Sequence, residues 1–185
     1  MTLEIAAKCS PNEKILSDIE KARISAAELY LSKDILRDPQ SVSETCKKFN
    51  FKYAVHAPND DFNPDALCFL VKEIGSGIVV FHDIFWEDEW KEIIEKFKGL
   101  RTKLCVENIA GVHDASKFVR RYGFGRCLDL EHVQFQLSGI FEEEVLDIIK
   151  QSSHIHLSGY VCGTGFVAYT YLSFEEAGDA DVGLN

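Results

Sequence analysis

The sequence is poor in positive charge and has no long apolar run. It contains 20 Lys and Arg against 30 Asp and Glu, and its formal charge of −10 argues against broad electrostatic binding to nucleic acid or to an anionic membrane. No apolar run reaches the roughly 18 residues of a membrane span. The first residues, MTLEIAAKCSPNEK, have neither the basic nor the long apolar segment of a signal peptide. Nucleic-acid and membrane partners are therefore not expected.

Two groups of motifs are also missing. The six cysteines form no C-x-x-C pair. Their scatter is typical of reduced thiols in a cytosolic protein, and each is expected to be a small buried side chain. No G-x-G-x-x-G or G-x-x-x-x-G-K follows an apolar segment, so nothing indicates a nucleotide-binding sheet. We expect a cytoplasmic protein without disulfides.

Short apolar segments recur along the chain at intervals of roughly 25 residues, as buried parallel strands do. They are 3–8, 25–31, 52–57, 77–82, 103–108, 126–132 and 154–160. Helical patterns lie between them. The clearest is 87–99, with acidic residues in its first turn and Gly99 at its end. Asn63 before Pro64 predicts the start of a second helix. The sequence SVSE at 41–44 matches a capping box, which predicts another helix start. A further helix is predicted at 141–150, where the apolar residues share one face.

Alternating strands and helices imply parallel strands with helical crossovers. The fold class is therefore α/β, and seven units favour a (β/α)8 TIM-type barrel, shortened or incomplete at its C-terminal end. An open sheet is the alternative. We expect one domain over residues 1–185, with 165–185 as an atypical tail.

The strands predicted from residue 52 onward end in polar residues that are costly to bury unpaired. These residues are His56, His82, Glu107, Asp129 with His132 close behind, and the pair His154 and His156. In a barrel the carboxyl ends of all strands meet at one mouth. Imidazole and carboxylate groups that converge there are the ligand set of Zn²⁺ or Mn²⁺. Because side chains alternate along a strand, Cys105, Cys127 and His154 are expected one layer below the mouth.

This ordered set resembles the xylose isomerase-like TIM barrels, which include sugar isomerases and epimerases and the endonuclease IV family of abasic-site nucleases. The matching motifs are VHAP (55–58), VVFH (79–82), VENIAG (106–111), CLDLEH (127–132) and HIHLSG (154–159). The resemblance implies one or two divalent ions. His56 and His82 would bind a first ion, Glu107 would bridge, and Glu107, Asp129 and His156 would bind a second.

The resemblance also implies catalytic and substrate-binding roles. Glu107 matches a proton-transferring carboxylate of the epimerases. His132 matches either a third-metal ligand of the nucleases or a substrate-contacting His of the epimerases. Asn108 and His154 are assigned to substrate contact together with His132. The expected substrate is a small molecule, a sugar or sugar phosphate.

The chain departs from the family pattern near its C-terminal end. The family's eighth strand ends in a metal-binding Glu, whereas here Glu175 and Glu176 follow no clear strand. The segment 166–174 (FVAYTYLSF) could itself form a strand or belong to a replaced tail. The Asp/His pair of the nucleases is missing from VCGTGFVAY (161–169). A seven-stranded sheet would leave two open edges, which a homodimer, a strand from the tail or a covering loop could close.

Three functions remain open on the sequence alone. The first is a divalent-metal-dependent sugar or sugar-phosphate isomerase or epimerase. The second is a metal-dependent hydrolase of the phosphodiesterase type, which the additional His56 and His82 favour and the missing Asp/His pair disfavours. The third is a degenerate, non-catalytic barrel, which the short tail favours.

Overall fold

The computed structural model describes residues 4–108, 115–130, 132, 149–161 and 165–170. Its centre is a sheet of seven parallel strands that pair in chain order. The strands are β1 (Ala6–Cys9), β2 (Ala26–Tyr30), β3 (Lys52–His56), β4 (Ile78–His82), β5 (Lys103–Glu107), β6 (Gly125–Asp129) and β7 (His154–Val161). The predicted α/β class and the seven parallel strands are therefore confirmed.

The eighth strand departs from the predicted (β/α)8 pattern. β8 (Gly165–Thr170) runs antiparallel to β7 and also pairs with β1 through Ala6 and Thr170. Only residues 162–164 separate β7 from β8, which is a hairpin length, whereas a parallel strand needs a crossover of about a dozen residues. Part of the expected tail thus lies beside both edges of the parallel sheet and closes the barrel. Dimerisation stays a prediction.

The helices lie between the strands as the periodicity predicts. They are α1 (Glu13–Lys21), α2 (Pro39–Cys46), α3 (Pro64–Ile74), α4 (Glu87–Phe97) and α5 (Ala115–Tyr122), with a short 3₁₀ helix at Ile35–Arg37. Of the predicted helix 141–150, residues 141–148 lie outside the described residues. Within the described chain, no helix is long and apolar enough to cross a membrane.

The helix starts test two predictions. Asn63 caps α3, since its Oδ1 accepts the backbone N–H of Asp65 at 2.9 Å. The capping box predicted at 41–44 is wrong. Asp38 is the cap of α2, and its Oδ1 accepts the N–H of Ser41 at 3.0 Å, so 41–44 lie inside the helix. Asp-Pro supplies an earlier cap together with a proline at the first helical position.

The two faces of each strand pack in different layers. One face contacts the helices in a large apolar core that includes Val79, Phe81 and Val106. The other face points into the barrel, where Val80, Cys105 and Cys127 form a small separate cluster. Since side chains alternate, the residues two positions after these three also face inward, at the mouth. Those residues are His82, Glu107 and Asp129.

Candidate metal centre at the barrel mouth

Strand register brings the predicted residues to one place. His82 lies beside Glu107 across β4 and β5, and Asp129 lies beside His156 across β6 and β7. His56 is the last residue of β3. Glu107 and His56 are each 2% exposed and His156 is 3% exposed, so these polar groups must find partners among themselves or with a bound ion.

Glu107 is the centre of the cluster. Its Oε2 lies 3.1 Å from His56 Nε2 and 3.0 Å from His156 Nδ1. Its Oε1 lies 3.5 Å from both His82 Nε2 and His132 Nδ1. Burial alone would raise the pKa of the Glu107 carboxyl, but the neighbouring imidazoles of His156, His56 and His82 outweigh it and hold that pKa well below its usual range. Glu107 is therefore an anion surrounded by four imidazoles.

His56 turns an unprotonated nitrogen toward this anion. Its Nδ1 lies 3.0 Å from the carbonyl oxygen of Ala57, which can only accept a hydrogen bond, so Nδ1 carries the proton. Burial lowers the pKa of His56 and keeps the ring neutral. Nε2 then has a lone pair that faces Glu107 Oε2. A metal-binding histidine typically donates its other N–H to a carbonyl or carboxylate in this way.

His156 shows the same arrangement with its nitrogens exchanged. Its Nε2 lies 3.0 Å and 3.2 Å from the two carboxylate oxygens of Glu28. Its Nδ1 is buried, makes no hydrogen bond, and lies 3.0 Å from Glu107 Oε2 and 3.7 Å from Asp129 Oδ2. A bare nitrogen facing two carboxylates is repelled unless a cation, either a proton or a metal ion, lies between them. Burial disfavours the protonated ring, but the carboxylates of Glu28 and Asp129 outweigh it and raise the pKa of His156 well above its usual value.

Asn108 and His132 occupy the next part of the rim. The Asn108 side chain donates to the carbonyl oxygen of Asp129 at 3.0 Å and accepts the N–H of Asp129 at 2.7 Å. His132 Nδ1 lies 2.7 Å from the carbonyl oxygen of Asn108, and the His132 backbone N–H donates to Asp129 Oδ1 at 3.1 Å. Asn108 thus joins the ends of β5 and β6, and His132 is held at the mouth with 27% of its side chain exposed.

At the mouth, two groups of three side chains could each hold an ion. In each group the ligand atoms lie within 4.8 Å of one another; the groups are His56, Glu107 and His156, and Glu107, Asp129 and His132. The nitrogen and oxygen donors suit Zn²⁺ or Mn²⁺. The membership differs from the sequence prediction. His156 joins His56 rather than Asp129, while His82 contacts the opposite oxygen of Glu107 and belongs to neither group.

The structure also contains two interior residues that sequence reasoning missed. Glu28 in β2 is fully buried, and its Oε1 lies 3.2 Å from the Nζ of Lys8 in β1. Its Oε2 lies 2.6 Å from His154 Nε2. The only signal in the sequence was a single carboxylate within the apolar strand AAELY. His154 lies in this layer rather than at the mouth, as its alternation with His156 requires.

Other predictions have mixed outcomes. The five described cysteines are free thiols, and Cys46, Cys105 and Cys127 are buried as predicted. Cys9 and Cys68 are only half-buried, so the expected burial is wrong for these two. Burial is the main reason that the pKa of Cys105 rises to about 12, so it stays protonated as an inert interior thiol. Glu175 and Glu176 lie outside the described residues.

No protein-family model matches the sequence, and no curated protein is significantly similar to it. Among solved structures that match, 3-keto-D-glucoside 4-epimerase YcjR from E. coli superposes with a TM-score of 0.62 at 11% identity, covering 83% of this chain and 78% of that chain. D-allulose 3-epimerase from Methylomonas sp. superposes with a TM-score of 0.62 at 12% identity, covering 88% and 76%. Both of these proteins are named as epimerases of sugars or sugar derivatives. The resemblance predicted from the strand-end motifs is thus confirmed at the level of the fold, which this chain shares with those two enzymes.

Proposed function

We propose that the chain is a divalent-metal-dependent isomerase or epimerase that acts on a sugar or sugar phosphate. The observation that carries the proposal is the buried Nδ1 of His156, which makes no hydrogen bond and faces two carboxylates. His56 Nε2 faces the same oxygen of Glu107 from the other side. The likeness in fold to two sugar epimerases supports this class of substrate.

His56, His156 and Glu107 would hold the ion, with Asp129 beside them. When bound, a divalent ion at this position polarises a sugar carbonyl and makes the hydrogen on the adjacent carbon more acidic. Lys8 offsets the charge of Glu28, so Glu107 and Asp129 leave two negative charges at the mouth. One divalent ion balances them. Zn²⁺ and Mn²⁺ are the expected ions.

His132 is better suited than Glu107 to move the substrate proton. The pKa of Glu107 is held well below its usual range, which makes its carboxylate a weak base. His132 donates its Nδ1–H to the carbonyl oxygen of Asn108, so its Nε2 has a free lone pair. Its ring is partly exposed at the mouth, where a substrate can reach it. We therefore assign Glu107 to metal binding and His132 to proton transfer and substrate contact.

Asn108 and His154 take different roles from the predicted substrate contact. Both ends of the Asn108 amide are bonded to the backbone of Asp129, so Asn108 positions that strand end. His154 is 1% exposed and bound to Glu28, below the mouth. A single base such as His132 is enough for an isomerisation in which a proton moves between two adjacent carbons on one face of the sugar. An epimerisation that removes the proton from one face and returns a proton to the opposite face needs a second acid–base group.

Hydrogen exchange tests this function even when the product is not identified. The protein, loaded with Zn²⁺ or Mn²⁺ in D₂O, is incubated with a panel of ketoses, aldoses and their phosphates, and deuterium next to the carbonyl is measured by NMR. We expect wild-type protein and a Glu44→Gln surface control to exchange at least one sugar. His132→Gln should lose exchange while retaining metal. Stoichiometric metal with no exchange in any sugar contradicts the proposal.

A metal-dependent hydrolase is the second candidate, because the two ligand groups adjoin and share Glu107. Two ions in such an arrangement can activate water and stabilise a leaving oxygen. The second ion would have to replace the Asn108 hydrogen bond at His132 Nδ1. Two bound ions per chain and cleavage of bis(p-nitrophenyl) phosphate would favour this function. Bound metal with neither activity would favour a non-catalytic barrel.

A further inference from the structure

Lys8 and Glu28 form a charged pair inside the barrel, next to the candidate metal centre. They are register partners across β1 and β2, and their charged atoms lie 3.2 Å apart. The Glu28 side chain has no exposed surface, whereas 21% of the Lys8 side chain is exposed. The carboxylate also accepts hydrogen bonds from His154 at 2.6 Å and from His156 at 3.0 Å and 3.2 Å.

Stability alone gives little reason for this arrangement. Removing a carboxylate from water is costly, and well-packed apolar side chains in place of a buried ion pair are often neutral or stabilising. Glu28 nevertheless lies within hydrogen-bond distance of three N–H-bearing side chains, Lys8, His154 and His156. A buried anion with two histidine donors can instead select which nitrogen of each ring carries the proton.

We propose that Glu28 is a positioning residue for the metal centre, with Lys8 as its counter-charge. Glu28 holds the proton of His156 on Nε2 and thereby leaves Nδ1 free to bind the ion beside Glu107. The inference rests on the proposed metal centre and adds an interior carboxylate that controls it. Carboxylate partners of this kind orient metal-binding histidines and increase their basicity.

The packing around His156 supports this role. The His154 ring meets the His156 ring nearly edge-on, with centroids 5.2 Å apart and planes at 82°. The His56 ring also stacks on the His156 ring, with centroids 5.6 Å apart and planes at 25°. Rotation of the His156 ring by a half-turn would place carbon atoms where its two nitrogens lie and would break both contacts of Nε2 with Glu28. The carboxylate therefore fixes both the proton and the orientation of the ring.

The same contacts argue against a separate metal site deeper in the barrel. Cys127, His154 and His156 also bring potential ligand atoms within 4.8 Å of one another. However, the Nε2 atoms of both histidines already donate to Glu28. Burial is the main reason that the pKa of the Cys127 thiol rises, so the thiol keeps its proton. This lower layer supports the centre above it.

The test compares Glu28→Gln with Val80→Ala, a buried neighbour in the barrel that has no polar contact with His156. A glutamine has one acceptor oxygen where Glu28 has two, so one of the two histidines loses its partner. The Kd for Zn²⁺ is measured by competition with a chromophoric chelator. We expect Glu28→Gln to weaken binding by about 10- to 100-fold. Val80→Ala should lower the melting temperature and leave the Kd within about twofold.

A second measurement does not require a variant. Long-range ¹H–¹⁵N correlation spectra of ¹⁵N-histidine-labelled wild-type protein report which nitrogen of His156 carries the proton. With Zn²⁺ bound we expect a protonated Nε2 and a metal-bound Nδ1. A protonated Nδ1, or an unchanged Kd in Glu28→Gln, overturns the inference. Wild-type protein that binds no zinc overturns this inference and the proposed function together. Weakened binding in Glu28→Gln without sugar exchange in wild type supports this inference and contradicts only the function.

Discussion

Replacement of Glu107 by glutamine changes several contacts at the mouth at once, because the two carboxylate oxygens of Glu107 contact four imidazole rings. Glutamine keeps one acceptor oxygen and places an NH₂ group where the other oxygen contacts two rings. In the metal-free protein the raised pKa of His156 keeps its ring cationic, 3.0 Å from the Glu107 carboxylate. Loss of such a charge-assisted contact costs about 1.5–3 kcal/mol, so we expect the metal-free variant to be less stable by about that amount. The protein should still fold, because the apolar layer between strands and helices is unchanged.

The effect on metal binding should be larger. Glu107 belongs to both candidate ligand groups, whereas residues that merely support a ligand contribute about 10- to 100-fold to affinity. We therefore expect the Kd for Zn²⁺ to rise by at least about 100-fold, or roughly 2.7 kcal/mol. Chelator competition gives the Kd, and urea unfolding in the presence of EDTA gives the stability. Glu44→Gln, on the exposed side of α2, is the matched control. A Glu107→Gln variant that binds zinc within tenfold of wild type would refute the assignment of Glu107.

Three further predictions concern the strand ends, a helix cap and pH. Asn108→Ala removes two hydrogen bonds to the backbone of Asp129. We expect urea unfolding to show a loss of about 1–3 kcal/mol in stability, together with weaker Zn²⁺ binding. Unchanged stability would contradict the role of Asn108. Asn63→Ala should cost about 1 kcal/mol in thermal unfolding without changing the Kd for Zn²⁺, and a changed Kd would show that the α3 cap acts on the centre. The raised pKa of His156 adds stability to the metal-free protein that is fully present below about pH 6.5 and is lost as the pH rises through the folded-state pKa. Urea unfolding from about pH 6.5 to 7.5, below the range where thiols of the unfolded chain ionise, should show this loss in EDTA and not in excess Zn²⁺. A pH-independent free energy of unfolding in EDTA would contradict it.

The positions at the mouth could be predicted from the sequence because they depend on local rules. His82, Glu107 and Asp129 each end a short apolar strand, and parallel strands place such ends together. Alternation along the strand also predicted that Cys105 and Cys127 would lie below them. These rules need only the direction and period of each strand.

The partners across the barrel could not be predicted, because they depend on its closed three-dimensional geometry. Glu28 meets His154 and His156 although more than 120 residues separate them in sequence. His56 joins His156 rather than His82 because the barrel brings β3 and β7 within reach of one Glu107 oxygen. The direction of β8 follows from the short connection at 162–164, a signal that was present in the sequence but was overridden by the family pattern.

Diffraction at the absorption edge of the metal tests the central claim most directly. Crystals grown with Zn²⁺ or Mn²⁺ would be measured on both sides of the edge to locate the ion by its anomalous signal. We predict one ion per chain, with His156 Nδ1, His56 Nε2 and Glu107 as ligands and, for zinc, Zn–N distances of about 2.0–2.1 Å. Ordered side chains at the mouth with no ion bound to His156 Nδ1 would contradict the metal centre and the function proposed from it.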